Sequence, residues 1–138
     1  NIIKKEITCQ GRIKPVSKEM FEWIEKAGVV QLAFGIETGS AKLLDSIHKG
    51  ITKKDCVETF NLLKGHKIKA IKLLIVGLPG ENEETVNETI SFMKYLNKII
   101  PTDFFTATPL IVYPGTEVYE IAKQKGFIDD SFWLTHKQ

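Results

Sequence analysis

Cysteine is scarce: Cys9 and Cys56 are the only two in 138 residues, which excludes a disulfide framework and leaves no C-x-x-C pair to hold a metal. A reducing, cytoplasmic setting is the expectation. An excess of one charge is also lacking. Nineteen basic residues against seventeen acidic ones give a formal net charge of +2, too small to argue for nucleic acid or an anionic membrane as partner. No apolar run approaches the about 20 residues that a membrane span requires. Glycine and proline number only 10 and 5, so collagen-like and low-complexity chains are excluded. What remains, 43% hydrophobic and 26% charged residues, is the composition of a globular protein, and the length predicts one folding unit. The opening residues Asn1-Ile2-Ile3-Lys4-Lys5-Glu6 carry neither an initiating Met nor an apolar leader. An excised piece of a longer protein is therefore expected.

Ile2 to Cys9 reads as a short strand, ended by Gly11-Arg12 and then Pro15. Ser17 is placed to cap a helix with Met20, Ile24 and Ala27 on one face and Gly28 as its stop. Val29 to Ile36 is an apolar run of strand length, and Ser40 stands at the start of a short helix ending near Ile47. Thr52 caps a helix with Cys56, Phe60 and Leu63 on one stripe, and Ile68 to Val76 is a second buried-type strand. Asn82 caps a long helix in which Val86, Ile90, Met93 and Leu96 follow the helical period, Glu83 and Glu84 complement the dipole, and Pro101 closes the run. Phe104 to Val112 is the last strand run; Thr116 to Lys125 is a helix stopped by Gly126. The reading is α/β, four strand-helix units. Strands alternating with helices require a parallel sheet, because each return to a parallel neighbour needs a crossover. Periodicity leaves two architectures open, a barrel sector and an open doubly wound sheet, since both bury their strands on both faces.

In either architecture ligands bind where the carboxyl ends of the strands meet the following loops. Four segments fall there: Cys9-Gln10-Gly11-Arg12, Gly35-Ile36-Glu37-Thr38-Gly39-Ser40, Gly77-Leu78-Pro79-Gly80-Glu81 and Tyr113-Pro114-Gly115-Thr116. Two carboxylates, Glu37 and Glu81, stand at this mouth; a carboxylate repels phosphate but accepts well from a hydroxyl pair. A nucleoside suits the mouth better than a polyphosphate. The Gly77 loop lacks the Gly-Lys-Ser/Thr ending of a P-loop and the Gly35 loop lacks G-x-G-x-x-G spacing, so P-loop and Rossmann readings are rejected. No G-x-S-x-G signature argues for a hydrolase. His48, His66 and His136 have no metal-ligand spacing and are read as surface histidines, with no metal site within the chain.

These segments together resemble the radical S-adenosylmethionine (SAM) enzymes, in the branch with Elp3/MiaB/NifB-like and cobalamin-binding cores. Gly35-Ile36-Glu37-Thr38-Gly39-Ser40 is similar to the family's G-I-E-S-G-S loop after its fourth strand. Ile75-Val76-Gly77-Leu78-Pro79-Gly80-Glu81 is similar to its I-x-G-L-P-G-E turn after the fifth, and Tyr113-Pro114-Gly115-Thr116 to the Y-P-G-T after the sixth. The order of the motifs, each after an expected strand, carries the specificity, over about Ile7 to Trp133. The resemblance implies that residues 1–138 form the C-terminal four units of a six-unit partial TIM-type barrel. The first two strand-helix units, and with them the C-x-x-x-C-x-x-C loop that binds a 4Fe–4S cluster, are missing from the sequence.

The resemblance also implies roles. Glu37 would accept from the ribose hydroxyls, with a turn carboxylate as the plain alternative. Ser40 is first a helix N-cap and only secondarily a ligand contact. Ile75 and Gly77 would flank adenine, though Ile75 also suits ordinary barrel core. Arg12 would meet the SAM carboxylate, with a solvated arginine equally open. Tyr113 and Pro114 border a loop whose backbone lies beside adenine in the family. Glu81 falls one residue late in the older fifth-strand motif, G-x-I-x-G-x-x-E, and Leu73 replaces its first Gly; a role at the Asn82 helix start is the plain reading. The chain would supply the SAM nucleoside side and part of the substrate cavity of an iron–sulfur enzyme, and would be inactive alone. The stretch Gly126-Phe127-Ile128-Asp129-Asp130 to Phe132-Trp133-Leu134 looks like the end of cobalamin-binding members, which hints at methyl transfer. The alternative is a non-catalytic α/β module that binds a partner. The cut sheet edge predicts a homo-oligomer. An aldolase-type barrel would need a Schiff-base lysine at a strand end, and Lys69 and Lys72 are poorly placed for that.

Overall fold

The computed structural model describes residues 6–102, 105–131 and 133. Its strands are β1 (Ile7–Gly11), β2 (Val29–Glu37), β3 (Lys69–Val76) and β4 (Phe105–Pro109); its helices are α1 (Lys18–Lys26), α2 (Ala41–Ser46), α3 (Lys53–Leu63), α4 (Glu83–Ile99) and α5 (Glu117–Gln124). The expected strand–helix alternation is thus present, with boundaries moved by a few residues. Of the first expected strand, Asn1 to Lys5 lie outside the described residues, and so does Phe104 at the start of the last.

All four strands pair in parallel in the order β1-β2-β3-β4. That order settles the choice between architectures. A doubly wound sheet reverses its order at a switch point, whereas strands laid down in series by right-handed crossovers place every crossover helix on one face. Accordingly α3 packs against both α1 and α4. The chain is a barrel sector.

Alternation along each strand sorts the side chains. Leu32, Phe34 and Ile36 of β2 and Ala70 and Leu74 of β3 join Phe21, Phe60, Leu63, Phe92 and Leu96 in the core between sheet and helices. The intervening positions, Ala33, Gly35 and Glu37 of β2 and Leu73 and Ile75 of β3, face the concave side of the barrel. Local chemistry fixes the helix starts. Ser17, Thr52, Asn82 and Thr116 all accept a hydrogen bond from an amide of the first turn, and Thr52 and Asn82 are reciprocated by Asp55 and Thr85.

Lys72 is the polar exception in the core. It is 1% exposed on the helix side of β3, where its ammonium donates to Asn97 Oδ1 of α4 and to Thr102 Oγ1 and lies 5.4 Å from the Phe60 ring centre. Burial pushes its pKa down to about 8 from 10.5. A lysine facing the helix layer cannot serve the concave side, so the aldolase reading fails on geometry.

The depressed pKa has a stability consequence. Between the folded value near 8 and the unfolded one near 10.5, the unfolded chain binds more protons, so the cost of burying the charge is relieved as pH rises. Cys56 opposes this above pH 9. Its burial pushes the thiol up to about 12 from 9.0, so the unfolded chain there loses protons that the folded chain keeps. Wild-type stability should therefore rise between about pH 7.5 and 9 and then flatten. Lys72→Met should remove that rise and stabilise the protein at pH 7 by about 1–3 kcal/mol, because Thr102 Oγ1 already donates to Asn97 Oδ1 at 3.1 Å and keeps it satisfied. Urea unfolding of both proteins across this pH range checks it; a parallel rise in the variant would contradict the assignment.

Candidate functional site

The carboxyl end of β2 is where the sequence departs most from regular strand. Gly35 pairs with Leu73, but Glu37 pairs with Leu74, so the register slips at Ile36. Glu37 has φ of 68°, a left-handed conformation that costs a non-glycine residue about 1–3 kcal/mol. Its surroundings over-determine it. Behind it Thr38 Oγ1 lies 3.0 Å from Thr89 Oγ1, the Gly39 amide donates to Thr89 Oγ1 at 2.9 Å, and the Ser40 amide donates to Thr38 Oγ1 at 3.1 Å. Thr89 itself donates to Thr85 O at 2.9 Å. The loop after β2 is pinned to α4 by this chain of hydroxyls.

In front, the Glu37 carboxylate accepts from Lys49 Nζ at 2.5 Å. Lys49 comes from the turn closing α2, where its amide donates to Leu44 O at 3.1 Å. Glu37 and Lys49, with Ile47 and His48, line two cavities at once. The larger, about 560 Å³, is polar and includes Gln10, Arg12, Ala33, Gly35 and Leu73. The smaller, about 370 Å³, is apolar and includes Ile75, Leu78, Pro79, Leu110, Val118 and Ile121.

The structure therefore brings Glu37 together with Arg12 on one side and with Ile75 on the other. Gly77 follows Ile75 in a turn with φ of 86°, a conformation glycine adopts without steric cost. Its amide donates to Glu81 Oε2 at 2.5 Å, so one oxygen of Glu81 closes its own loop. Tyr113 and Pro114 are exposed and outside the lining of both cavities. Tyr113 instead stacks on Trp133 at 5.6 Å, and it is Glu117 just beyond this bend that reaches the apolar cavity.

Ser40 corrects the sequence reading. It occupies the N-cap position of α2 but makes no side-chain cap; its own amide donates to Thr38 Oγ1. Its hydroxyl is buried with no hydrogen-bond partner among the described residues, and the residue is 0% exposed. Ser40 lines neither cavity. His66, read as a surface histidine, is instead bonded through Nδ1 to Glu25 at 2.7 Å, far along the chain from the mouth.

Two functional-looking residues escaped sequence reasoning, Lys49 and Thr89. Thr89 carried no signal; a threonine in an exposed-looking helix position gives none. Lys49 could have been suspected from the turn-forming His48-Lys49-Gly50 after the short helix, since φ is 50° at His48 and 68° at Gly50. The cluster has no counterpart among these residues: the sequence has two cysteines, both free, and among the described residues no group of three or more His, Cys, Asp or Glu could hold a metal. The chain's own side chains do not fit a 4Fe–4S centre.

An uncharacterized methyltransferase of Pyrococcus horikoshii is 33% identical over 115 residues, which is 83% of this chain and 24% of that protein. Elp3 of Methanocaldococcus infernus superposes with a TM-score of 0.74 at 22% identity, over 87% of this chain and 28% of that one. The radical SAM methyltransferase TsrM of Kitasatospora setae, solved with tryptophan and a SAM analogue, gives 0.71 at 23% identity, over 83% and 22% respectively. The chain thus spans about a quarter of the length of these relatives. The superpositions establish a partial TIM-like barrel. Since the Radical SAM superfamily model matches residues 1–93, two thirds of the sequence, the chain belongs to that superfamily.

Proposed function

We propose that this chain supplies the SAM-binding rim of a radical SAM enzyme, with the nucleoside lying across the ridge between the two cavities. The observation that carries the reading is the position of Glu37: one carboxylate, held in a strained backbone, forms the wall shared by an apolar and a polar cavity. Adenine suits the apolar side, where Ile75 and Leu78 give flat, water-poor contact. The ribose hydroxyls would donate to Glu37, and the amino-acid end would extend toward Arg12, whose guanidinium fork matches a carboxylate. Arg12 has no ion-pair partner among the described residues. Gly77 would shape the turn beside the adenine.

Held by Glu37, Ile75, Gly77 and Arg12 beside a 4Fe–4S cluster, SAM would supply one-electron chemistry, the cluster giving the electron that breaks the S–C5′ bond with methionine as leaving group and the adenosyl end taking a substrate hydrogen atom. The cluster ligands would come from outside this chain. What these residues do is bind, orient and keep water away. Methyl transfer with cobalamin is the finer reading; the methyltransferase relative supports its methyl-transfer part. The test is calorimetric titration of the full-length protein with S-adenosylhomocysteine. Saturable one-site binding that weakens for the 2′-deoxy analogue is expected; equal affinity for both would contradict the ribose assignment.

A partner-binding role for the isolated chain is favoured by one observation: among the described residues β1 and β4 each have a single strand neighbour, so two edges present unpaired backbone groups. The isolated chain is expected to pair with a second copy. Sedimentation at hundreds of micromolar should show dimers or larger species, and a monomer throughout would count against it. Among the described residues no helix is long and apolar enough to cross a membrane; a cytoplasmic setting is part of the proposal, in keeping with two free thiols.

A further inference from the structure

We propose that Lys49 is a positioning residue for Glu37, fixing which carboxylate oxygen a bound ribose can use; this rests on the nucleoside reading above. The ion pair is built into the backbone on three sides. Glu37 is turned left-handed to present its carboxylate, and the turn carrying Lys49 is set by positive φ at His48 and Gly50. Gly35 leaves the room in between. A Cβ there would lie 2.6 Å from Glu37 Oε1 and 3.2 Å from Lys49 Nζ, so the carboxylate and ammonium fold back over a bare backbone.

Lys49 Nζ bonds Oε1, and among the described residues no hydrogen bond to Oε2 is present. The lysine thus occupies one oxygen and leaves the other for a donor from the cavity. Without it, a flexible carboxylate in a left-handed backbone would sample rotamers facing either cavity. At 30% and 16% side-chain exposure, the pair is sheltered enough for this restraint to hold. Charge matters as well as reach. An unpaired carboxylate at a half-buried rim would draw water or a cation into the place a hydroxyl pair needs.

The experiment compares full-length Lys49→Met, Lys49→Arg, Glu37→Gln and the double variant Glu37→Gln/Lys49→Met. Affinities for S-adenosylhomocysteine and its 2′-deoxy analogue are measured by calorimetry, and folding is checked by thermal unfolding. Lys49→Met should weaken S-adenosylhomocysteine about tenfold and the deoxy analogue much less, Lys49→Arg should restore most of the preference, and the double variant should be no weaker than Glu37→Gln alone. Three results overturn the proposal: an undiminished preference in Lys49→Met, equal losses for both ligands, or additive losses in the double variant. The nucleoside reading fails separately, if Glu37→Gln itself binds as the wild type does.

Discussion

Glu37→Gln is expected to lower the affinity of the full-length protein for S-adenosylhomocysteine by about ten- to a hundredfold, because a hydrogen bond to a charged group is worth about 1.5–3 kcal/mol and the amide offers only one acceptor oxygen. Folding should be almost unaffected. Glu37→Gly sharpens the comparison. Removing the side chain from a residue at φ of 68° relieves backbone strain, so the glycine variant should equal or exceed the wild type in thermal stability while losing the same binding. A side chain that destabilises the fold and is needed only for binding is what a functional carboxylate predicts. If Glu37→Gly unfolds readily, the acid is a structural turn residue and the site reading weakens.

The second large effect is expected at Gly39. Its φ is not in the left-handed region; space is the constraint. A Cβ at this position would lie 2.6 Å from Thr89 Cα, 2.8 Å from Phe92 Cβ and 3.2 Å from Glu88 O, and two of these three atoms belong to helix backbone that cannot yield locally. Gly39→Ala should therefore push the loop off α4 at a cost of about 1–3 kcal/mol or more. The damage should spread. The loop carries the amide-to-Thr89 and Thr38-to-Thr89 hydrogen bonds, and these set where β2 ends and hence where Glu37 points. Loss of stability accompanied by loss of nucleoside affinity is the expected result, read by denaturant unfolding and calorimetry. A variant as stable as the wild type would show that the loop does not dock on α4 so closely.

The two sites differ in how far the sequence disclosed them. The place of Glu37 at the rim was legible because it sits inside a recognisable run at the end of an apolar strand, and strand ends in parallel sheets are where ligands gather. Helix starts were legible for a similar reason: Ser17, Thr52, Asn82 and Thr116 act through amides three residues away, within reach of local pattern. Ser40 shows the limit of that logic. It has the right residue type and position for a cap, yet its hydroxyl is buried and makes no cap hydrogen bond, an orientation that residue spacing does not reveal. Lys49 and Thr89 act across 12 and about 50 positions, and such contacts follow only from the assembled barrel. Strand order was likewise hidden, since apolar runs look alike in a barrel sector and a doubly wound sheet.

The central claim is that an adenosyl group lies across the ridge formed by Glu37. Amide chemical-shift mapping of the protein with S-adenosylhomocysteine tests it most directly. Saturable shifts are expected at Gly35 to Glu37, Ile75 to Gly77 and Leu110, with Arg12 following as the amino-acid end is bound. Shifts confined to the opposite end of the strands, around Gly28 and His66, or an absence of any localised response at saturating ligand in the full-length protein, would contradict it.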